Sequence, residues 1–278
     1  MGAMDRFDAT MRRLAGARGV ASRQAAAPAG PVHLLDGAGR GPLPTLVFQH
    51  GLGAGAATQF VPLMVAAQRH FARVVAVDLP GHGLSAPIAT MTTRALYDSV
   101  AHVLDVETSG PLVLVGNSLG GAVMLEYALT RPERVSRLVL TSPAGAPTTV
   151  EEREELFSVF AMRGPSATRD FFARMHPRVP AWAPLFAEDV RARFALPHVR
   201  ALVESFRDGA HFEPGRLATL RAPTLLQWGT ADRLLPASCL AWWKRHLPAT
   251  FEEPPVGHAP HFDAPVAFYR RLRAHAEA

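Results

Sequence analysis

Cysteine and lysine are nearly missing from this chain of 278 residues, which has one of each, Cys239 and Lys244. A single cysteine excludes an intramolecular disulfide and a zinc site built from paired cysteines, and it fits a reducing compartment. No apolar run reaches the roughly 20 residues that a membrane span needs. The N-terminal region also has no continuous apolar segment of a signal peptide. These absences predict a cytoplasmic protein with no membrane span.

Basic residues are in excess, but they are not clustered. The formal net charge is +5, and arginines are scattered along the chain with no run of five or more basic residues. A nucleic-acid surface is therefore not expected. Hydrophobic residues make up 48% and charged residues 19% of the chain, the balance of a globular protein with a sizeable core. Cys239 falls in a predicted helix, where a lone cysteine is usually a small core residue rather than a nucleophile.

Short apolar runs alternate with helical patterns along most of the chain. Because these runs are apolar throughout, they predict strands buried on both faces, as in a parallel sheet covered by helices. Strands are predicted at 32–35, 45–49, 74–77, 112–115, 135–140, 224–228 and 250–253, and helices at 92–106, 119–129, 237–247 and 266–276.

The alternation is interrupted twice, which divides the chain into three parts. Residues 1–31 have a weak helical pattern followed by a stretch rich in Ala, Gly and Pro, which indicates an arm or flexible linker. Residues 144–220 contain prolines and aromatic residues in helical patterns but no evident strand. We expect them to form a helical cap on an α/β core of residues 32–143 and 221–278, with an apolar underside that roofs a pocket.

A candidate nucleophile lies between a predicted strand and a predicted helix. The residues Gly116-Asn117-Ser118-Leu119-Gly120 form a Gly-x-Ser-x-Gly motif at that turn, the context of a nucleophile elbow. The turn strains the serine backbone and leaves no room for side chains two positions away, so glycine is required there. The alternative is an ordinary tight turn in which Ser118 caps the helix.

At this motif the sequence resembles the α/β-hydrolase family, and the resemblance extends from about residue 32 onward. It implies an α/β-hydrolase fold. The segment Gln49-His50-Gly51-Leu52-Gly53 is similar to the family's His-Gly loop, whose backbone N–H completes an oxyanion hole. The resemblance therefore implies Leu52 and Leu119 as the two amide donors that stabilise a developing oxyanion. His50 is expected to be structural.

The same loop supports a rival interpretation. Gly51-x-Gly53-x-x-Ala56 follows a predicted strand, and Asp78 ends the next one, as in a dinucleotide-binding site for NAD. That interpretation leaves Ser118 unexplained. Residues 78–85 also resemble the D-x-P-G-x-G-x-S turn of α/β hydrolases, in which Asp78 fixes the loop and His82 is structural.

The acid and the base are expected late in the chain, in the order Ser, acid, His. Gly229-Thr230-Ala231-Asp232 resembles the family's acid turn, and the alternative is that Asp232 caps the following helix. Residues 257–265 resemble its G-H-x-x-x-x-[ED]-x-P segment, with His258 as the catalytic base. His261, one turn away, is expected to be a pocket or surface histidine.

These residues predict a serine hydrolase that cleaves small-molecule carboxylic esters with apolar acyl or aryl groups through Ser118, His258 and Asp232, with the acyl chain length left open. No cofactor or metal is implied, since metal-ligand motifs are missing. Dehalogenases and epoxide hydrolases of the family use Asp as nucleophile, so Ser118 argues against them. Carbon–carbon bond hydrolases, cofactor-free perhydrolases and hydroxynitrile lyases keep the serine triad and remain alternatives. So do a non-catalytic binding protein and the NAD enzyme, and the oligomeric state stays open.

Overall fold

The computed structural model describes residues 2–164, 166–208 and 211–278. Its strands form a single eight-stranded sheet. Their bounds are β1 Val20–Ala25, β2 Val32–Ala38, β3 Thr45–Gln49, β4 Arg73–Val77, β5 Leu112–Asn117, β6 Val135–Thr141, β7 Thr224–Gln227 and β8 Thr250–Glu252. The seven strands predicted from apolar runs are confirmed, because continuous runs of β-branched and leucine side chains suit a sheet covered on both faces.

The strand order is β1-β2-β4-β3-β5-β6-β7-β8. β2 pairs antiparallel with β1 and β4, and all pairs from β4 to β8 are parallel. This mostly parallel sheet confirms the predicted fold class. The carboxyl ends of parallel strands meet at one edge, which is where ligand sites of such sheets form. The loops that follow β3, β5, β7 and β8 carry every predicted site residue to that edge.

Helices cover both faces of the sheet. They are α1 Ala3–Gly16, α2 Ala56–Ala67, α3 Thr93–Glu107, α4 Leu119–Thr130, α5 Val150–Phe160, α6 Ala167–Met175, α7 Ala183–Ala195, α8 Pro197–Ser205, α9 Pro214–Leu217, α10 Ala237–His246, α11 Pro260–Asp263 and α12 Pro265–Glu277, with a 3₁₀ turn at Phe206–Asp208. Alternate strand residues divide between two cores, one with α3, α4 and α10 and the other with α1, α2 and α12.

The N-terminal region differs from the flexible linker that its composition indicated. α1 packs on α2, and β1 pairs with β2 over its full length, from Val20 opposite Gly37 to Ala25 opposite Val32. Arg23 of β1 also donates to Asp36 of β2 at 2.7 Å. The linker prediction is therefore wrong for 20–25, because the backbone groups of this segment, which has no apolar run, are paired with the next strand in a hairpin.

Between β6 and β7 the described residues form helices and loops and no strand. The helices have a core of their own, and its members are Met162, Phe171, Phe172, Ala183, Val190, Phe194, Val199 and, from the sheet domain, Leu234. None of the described helices is both long enough and apolar enough to cross a bilayer. This helical segment lies over the sheet edge that carries the predicted site residues, since both line one cavity.

Candidate active site

Ser118 occupies a strained turn between β5 and α4. Its backbone has φ +53° and ψ −119°, outside the regions that L-residues favour. Such a conformation costs about 1–3 kcal/mol and persists only when the surroundings hold it. Here the Ser118 amide donates to the Thr141 carbonyl of β6 at 3.0 Å, and its carbonyl accepts from Ala122 at 3.1 Å. The predicted strand–turn–helix context of the serine is thus present.

The glycines of the motif permit close backbone approaches. A Cβ atom on Gly116 would lie 2.4 Å from the Gly120 carbonyl oxygen, and one on Gly120 would lie 2.4 Å from the His50 carbonyl oxygen. Real Cβ atoms do not approach so closely, so both positions require glycine. A Cβ on Gly51 would lie 3.2 Å from Ser118 Cβ. The loop after β3 is therefore packed directly beside the serine.

Asp232 and His258 are brought together from two loops. Nδ1 of His258 lies 2.8 Å from Oδ2 of Asp232, and both side chains are buried. The other oxygen, Oδ1, accepts from the Leu234 amide at 2.9 Å and closes the turn after β7. The carboxylate therefore holds the histidine and closes its own turn, but it does not cap the following helix, whose N-cap residue is Pro236.

The charge state of Asp232 determines the tautomer of His258. Burial works against ionisation of the carboxyl group, but the charge of His258 and its hydrogen bond outweigh this, so the pKa of Asp232 lies below its usual value. An ionised carboxylate only accepts, so Nδ1 must carry the proton. Nε2 of His258 is then a free acceptor, and it has no hydrogen-bond partner among the described residues.

Close packing holds the acid and base loops against each other. A Cβ on Gly229 would lie 2.1 Å from the Gly257 carbonyl oxygen, so the acid turn and the histidine loop touch through glycine. Asn117 Nδ2 donates to the His258 carbonyl at 3.1 Å and also to Thr141. Asn117 is a site residue that the sequence analysis missed. It occupies the variable position of the motif, where only its polar character in an apolar strand was a signal.

A second acid–histidine pair supports the His258 loop. Asp263 Oδ2 accepts from the Gly257 amide at 2.7 Å, and Oδ1 lies 2.6 Å from Nδ1 of His176. His176 ends α6, and the carbonyl of Met175 next to it accepts from the His258 amide at 2.7 Å. The end of α6 is therefore bonded to the loop that carries the base. Asp263 lay in the motif used to find His258, but nothing in the sequence pointed to its partner.

The two predicted oxyanion donors are near the serine and unoccupied. In the described part of the chain, the backbone amides of Leu52 and Leu119 have no hydrogen-bond acceptor. Leu119 begins α4, so its amide is one of those that no carbonyl of the helix can satisfy, and helix N-termini favour negative charge. Leu52 and Ser118 line the same two cavities. This arrangement suits a developing oxyanion beside Ser118.

Asp78, the residue that would bind a ribose in the NAD interpretation, is already hydrogen-bonded within the protein. Asp78 is buried and lies 2.7 Å from His33 Nδ1, and it accepts from the Ala56 and Leu84 amides at 2.7 and 2.9 Å. Burial works against its ionisation, but the His33 hydrogen bond and the nearby histidine charges keep the Asp78 pKa below its usual value. With protein donors on both oxygens, Asp78 fixes the loop.

Two other histidines lie near the site, and neither suits the role of a base. The first is hydrogen-bonded through both ring nitrogens, and the second is buried. His50 accepts from the Leu79 amide at 3.0 Å through Nε2, and its Nδ1 lies 2.8 Å from the Gly51 carbonyl, so both ring nitrogens serve the loop. His82 is buried, and that burial lowers its pKa to about 3. Its Nδ1 lies 3.1 Å from the Pro80 carbonyl oxygen.

The expectation for His261 was wrong. It is neither a pocket nor a surface residue but is buried between α2 and α12, with its ring 5.2 Å from that of Phe60 and 5.8 Å from that of Phe268. Burial, together with the charge of His258, lowers the His261 pKa to about 3. Cys239 is also buried, as expected of a core residue, and burial raises its thiol pKa to about 12.

A large apolar cavity of about 440 Å³ opens above the serine. Ser118 and His258 line its floor, and aromatic side chains of the helical segment line its walls. These are Phe160, Phe171, Phe172, Trp182, Phe186 and Phe194. Apolar cavities with a few convergent polar groups are the usual form of small-molecule sites.

A smaller cavity of about 120 Å³ also reaches Ser118. The two cavities share three lining residues, Leu52, Ser118 and Phe160. The smaller cavity is more polar, with Tyr97, Arg153 and His211 in its wall. The serine therefore stands between an apolar space and a smaller mixed one. Across the described ranges, no group of three or more His, Cys, Asp or Glu side chains is arranged to hold a metal ion.

Comparison with known proteins places this site in context. Residues 46–271 match the model of the alpha/beta hydrolase family. The chain is 30% identical to a 2-hydroxy-6-oxononadienedioate/2-hydroxy-6-oxononatrienedioate hydrolase of Paraburkholderia phymatum over 231 residues, covering 74% of this chain and 76% of that protein.

Two further similarities involve enzymes that act on lipids by name. Lipase LipV of Mycobacterium tuberculosis is 38% identical over 110 residues, and the match covers 40% of this chain and only 41% of the lipase. The crystal structure of a bacterial membrane phospholipase A superposes with a TM-score of 0.82 at 25% identity, covering 97% of this chain and 90% of that one.

Proposed function

The chain belongs to the alpha/beta hydrolase family and is a hydrolase, and on this premise we propose that it cleaves carboxylic esters of apolar acyl or aryl acids. One observation carries the proposal. Ser118 lines an apolar cavity beside His258, a base whose Nδ1 is held by Asp232 and whose Nε2 has no partner among the described residues. A nucleophile, an oriented base and an apolar cavity are what acyl transfer to serine requires.

In this mechanism Ser118 Oγ attacks the ester carbonyl carbon while Nε2 of His258 takes its proton. The amides of Leu52 and Leu119 donate to the oxyanion, and each such donor contributes roughly 10²–10³-fold in rate. His258 then protonates the departing alcohol oxygen, and an acyl-enzyme remains on Ser118. A water molecule, deprotonated by His258, attacks that acyl group and releases the acid. Asp232 holds the proton on Nδ1 and stabilises the imidazolium that forms.

The two cavities suggest how an ester lies across the serine. We propose that the apolar cavity of about 440 Å³ takes the acyl or aryl part and that the smaller cavity of about 120 Å³ takes the alcohol. Residues 144–220 act as the cap in this proposal, on a core of residues 32–143 and 221–278. The cap supplies most of the aromatic wall of the acyl cavity, for example Phe172 and Phe194.

A carbon–carbon bond hydrolase is the second candidate, because of the similarity to the hydrolase from Paraburkholderia phymatum. The substrate in that protein's name is a dioate, with two carboxylates. The guanidinium that lines the apolar cavity, Arg193, is already paired with Asp8 at 2.8 Å. Burying a carboxylate without a free cationic partner is costly. The apolar cavity therefore favours an ester over a dioate, which has two carboxylates to place and only the Arg153 guanidinium of the smaller cavity beside them.

The proposal is tested by hydrolysis of nitrophenyl esters from acetate to palmitate. Wild type, Ser118→Ala and Ser109→Ala are compared, since Ser109 is an exposed serine that controls for loss of a hydroxyl elsewhere. We expect turnover by wild type and Ser109→Ala and none above background by Ser118→Ala. Equal turnover by all three, or none by folded wild type at any chain length, would contradict the proposal. Turnover only of a vinylogous 1,5-diketone acid would favour the carbon–carbon hydrolase.

A further inference from the structure

The N-terminal helix α1 forms part of the wall of the apolar cavity. Met4 and Phe7 of α1 line the cavity that contains Ser118 and His258. The ring of Phe7 makes an edge contact with that of Phe186 in α7, with centroids 5.8 Å apart. The family match begins at residue 46, so this helix lies outside the part of the chain that the family model covers.

The helix is bonded to both sides of the cavity through one buried carboxylate. Asp8 is 5% exposed. Its Oδ1 accepts from the Thr58 hydroxyl of α2, and its Oδ2 accepts from the Arg193 guanidinium of α7 at 2.8 Å. Thr58 and Arg193 themselves line the cavity. Asp8 therefore ties a helix of the sheet domain and a helix of the cap to α1, at the level of the cavity.

A further bond fixes the start of α1 against the cap. The Met4 amide donates to Oδ2 of Asp189 in α7 at 2.7 Å. At the other end of the helix, Ala15 is fully buried in the core between α2 and the sheet. One end of α1 is thus anchored in the protein core, and the other is held against α7 beside the cavity.

Phe7 differs in its surroundings from the other exposed large apolar side chain of α1. Phe7 is 37% exposed and lines the cavity. Leu14, on the same helix, is 52% exposed and does not line the cavity. The two residues therefore provide a matched comparison of exposed apolar side chains on one helix.

We propose that α1 sets the size of the acyl group that the cavity admits, with Met4 and Phe7 as specificity-determining residues and Asp8 as the positioning residue that holds the helix across α2 and α7. The proposal rests on the proposed function in one respect, that this cavity receives the acyl part of the substrate. The side-chain bonds and the ring contact of α1 described above are made to α2 and α7, so we expect the chemistry on the smallest ester not to depend on the helix.

Phe7→Ala and Leu14→Ala are compared with wild type by kcat/KM on nitrophenyl esters of increasing chain length. Removing the Phe7 ring lengthens the cavity, and each methylene accommodated in an apolar pocket changes kcat/KM by roughly tenfold or more. We expect the ratio of kcat/KM for laurate to that for butyrate to rise at least fivefold in Phe7→Ala and to stay within twofold in Leu14→Ala. Met4→Trp should shift the optimum to shorter chains. Unchanged ratios in both Phe7→Ala and Met4→Trp would overturn the proposal.

The role of Asp8 as a positioning residue is tested by comparing KM with kcat, because a loss of stability alone would not change one without the other. In Asp8→Asn, KM for long esters should rise several-fold while kcat for acetate stays unchanged, and Asp8→Glu should restore part of the KM. If kcat and KM change together for all esters and Asp8→Glu restores neither, Asp8 is not a positioning residue.

Calorimetric titration with neutral primary alkanols separates this proposal from the proposed function, because it needs no turnover. Wild type and Phe7→Ala are titrated with butanol, octanol and dodecanol. A relative gain in affinity for dodecanol in Phe7→Ala supports the role of α1 even if no ester is cleaved. Identical affinity series in the two proteins would overturn it even if wild type is an active esterase. Should Phe7→Ala fail to fold, Phe7→Val replaces it in both experiments.

Discussion

Asp232 is bonded through one oxygen to His258, 2.8 Å from Nδ1, and through the other to the backbone of its own turn, 2.9 Å from the Leu234 amide. The group that holds His258 is thus itself held by the chain that follows β7. In the proposed mechanism, a histidine whose Nδ1 proton is fixed in this way can take the Ser118 proton at Nε2.

Replacing Asp232 should separate these two tasks. Asp232→Asn can keep the turn through its amide oxygen, but it no longer fixes the proton on Nδ1 of His258. We expect kcat to fall by roughly 10³–10⁴-fold with a melting temperature close to that of wild type. Asp232→Ala should lose the same activity and also melt at lower temperature, because the Leu234 amide is left unsatisfied. Steady-state kinetics and thermal unfolding of both variants decide this, and an Asp232→Asn protein with near-normal kcat would exclude Asp232 as the acid.

The turn at Ser118 packs closely against the loop after β3, and adding one methyl group at Gly120 tests this contact. Gly120→Ala would place a Cβ 2.4 Å from the His50 carbonyl oxygen, so backbone must move. Overpacking of this kind typically costs about 1–3 kcal/mol. We expect that loss of stability in urea unfolding, together with loss of activity, because the loop carries the Leu52 amide. Gly215→Ala, at a helical glycine with no atom within 4 Å of the added Cβ, is the control and should behave as wild type.

Acid sensitivity should arise in part from His261. Its pKa is lowered to about 3 in the folded chain, against about 6.5 when unfolded. Above pH 6.5 the residue is neutral in both states and contributes nothing. As the pH falls from about 6.5 toward 3, only the unfolded chain takes up the proton, so stability is lost by about 1.4 kcal/mol per pH unit.

His261→Phe removes this proton uptake and fits the aromatic surroundings of Phe60 and Phe268. We expect urea unfolding curves of the variant to lose less stability than wild type between pH 6.5 and pH 4.5, with the two proteins differing least in slope above pH 7. Parallel pH profiles over that range would show that His261 takes up a proton in the folded state as readily as in the unfolded one.

Cys239 should be inert in the folded protein. With its pKa raised to about 12 by burial, roughly one thiol in ten thousand is ionised at pH 8. We expect no reaction of native protein with 5,5′-dithiobis(2-nitrobenzoate) and one equivalent of thiol after denaturation in guanidinium. Cys239→Ala sets the baseline and should keep full esterase activity. Rapid native modification accompanied by loss of activity would place the thiol at the site after all.

The parts of the fold that local pattern predicted are those whose signal is local. β3 is an apolar run bounded by Pro44 and Gly51, and such a run can only be buried on both faces. The Gly-x-Ser-x-Gly motif can be recognised in the sequence because contacts with neighbouring backbone require glycine two positions before and after Ser118. The same requirement holds wherever this turn occurs. Strand order, by contrast, depends on pairings between distant segments.

The features that the sequence did not reveal leave no local pattern. β1 has no apolar run and is buried only at its two ends, and it is a strand because it pairs with β2 in a hairpin. His261 was misplaced because a residue one turn beyond His258 can point outward or into the core, and spacing does not distinguish them. The bond between His176 and Asp263, and that between Asp8 and Arg193, join residues 87 and 185 positions apart. No local rule anticipates such pairs.

Peptide mapping by mass spectrometry tests most directly whether Ser118 carries the acyl group during turnover. Wild type and His258→Ala are reacted with an alkyl fluorophosphonate or quenched during hydrolysis of nitrophenyl butyrate, then digested. We expect a phosphonyl or butyryl adduct on the peptide that contains Ser118 in wild type, with labelling at least a thousandfold slower in His258→Ala. An adduct on any other residue, or none on active wild-type protein, would contradict it.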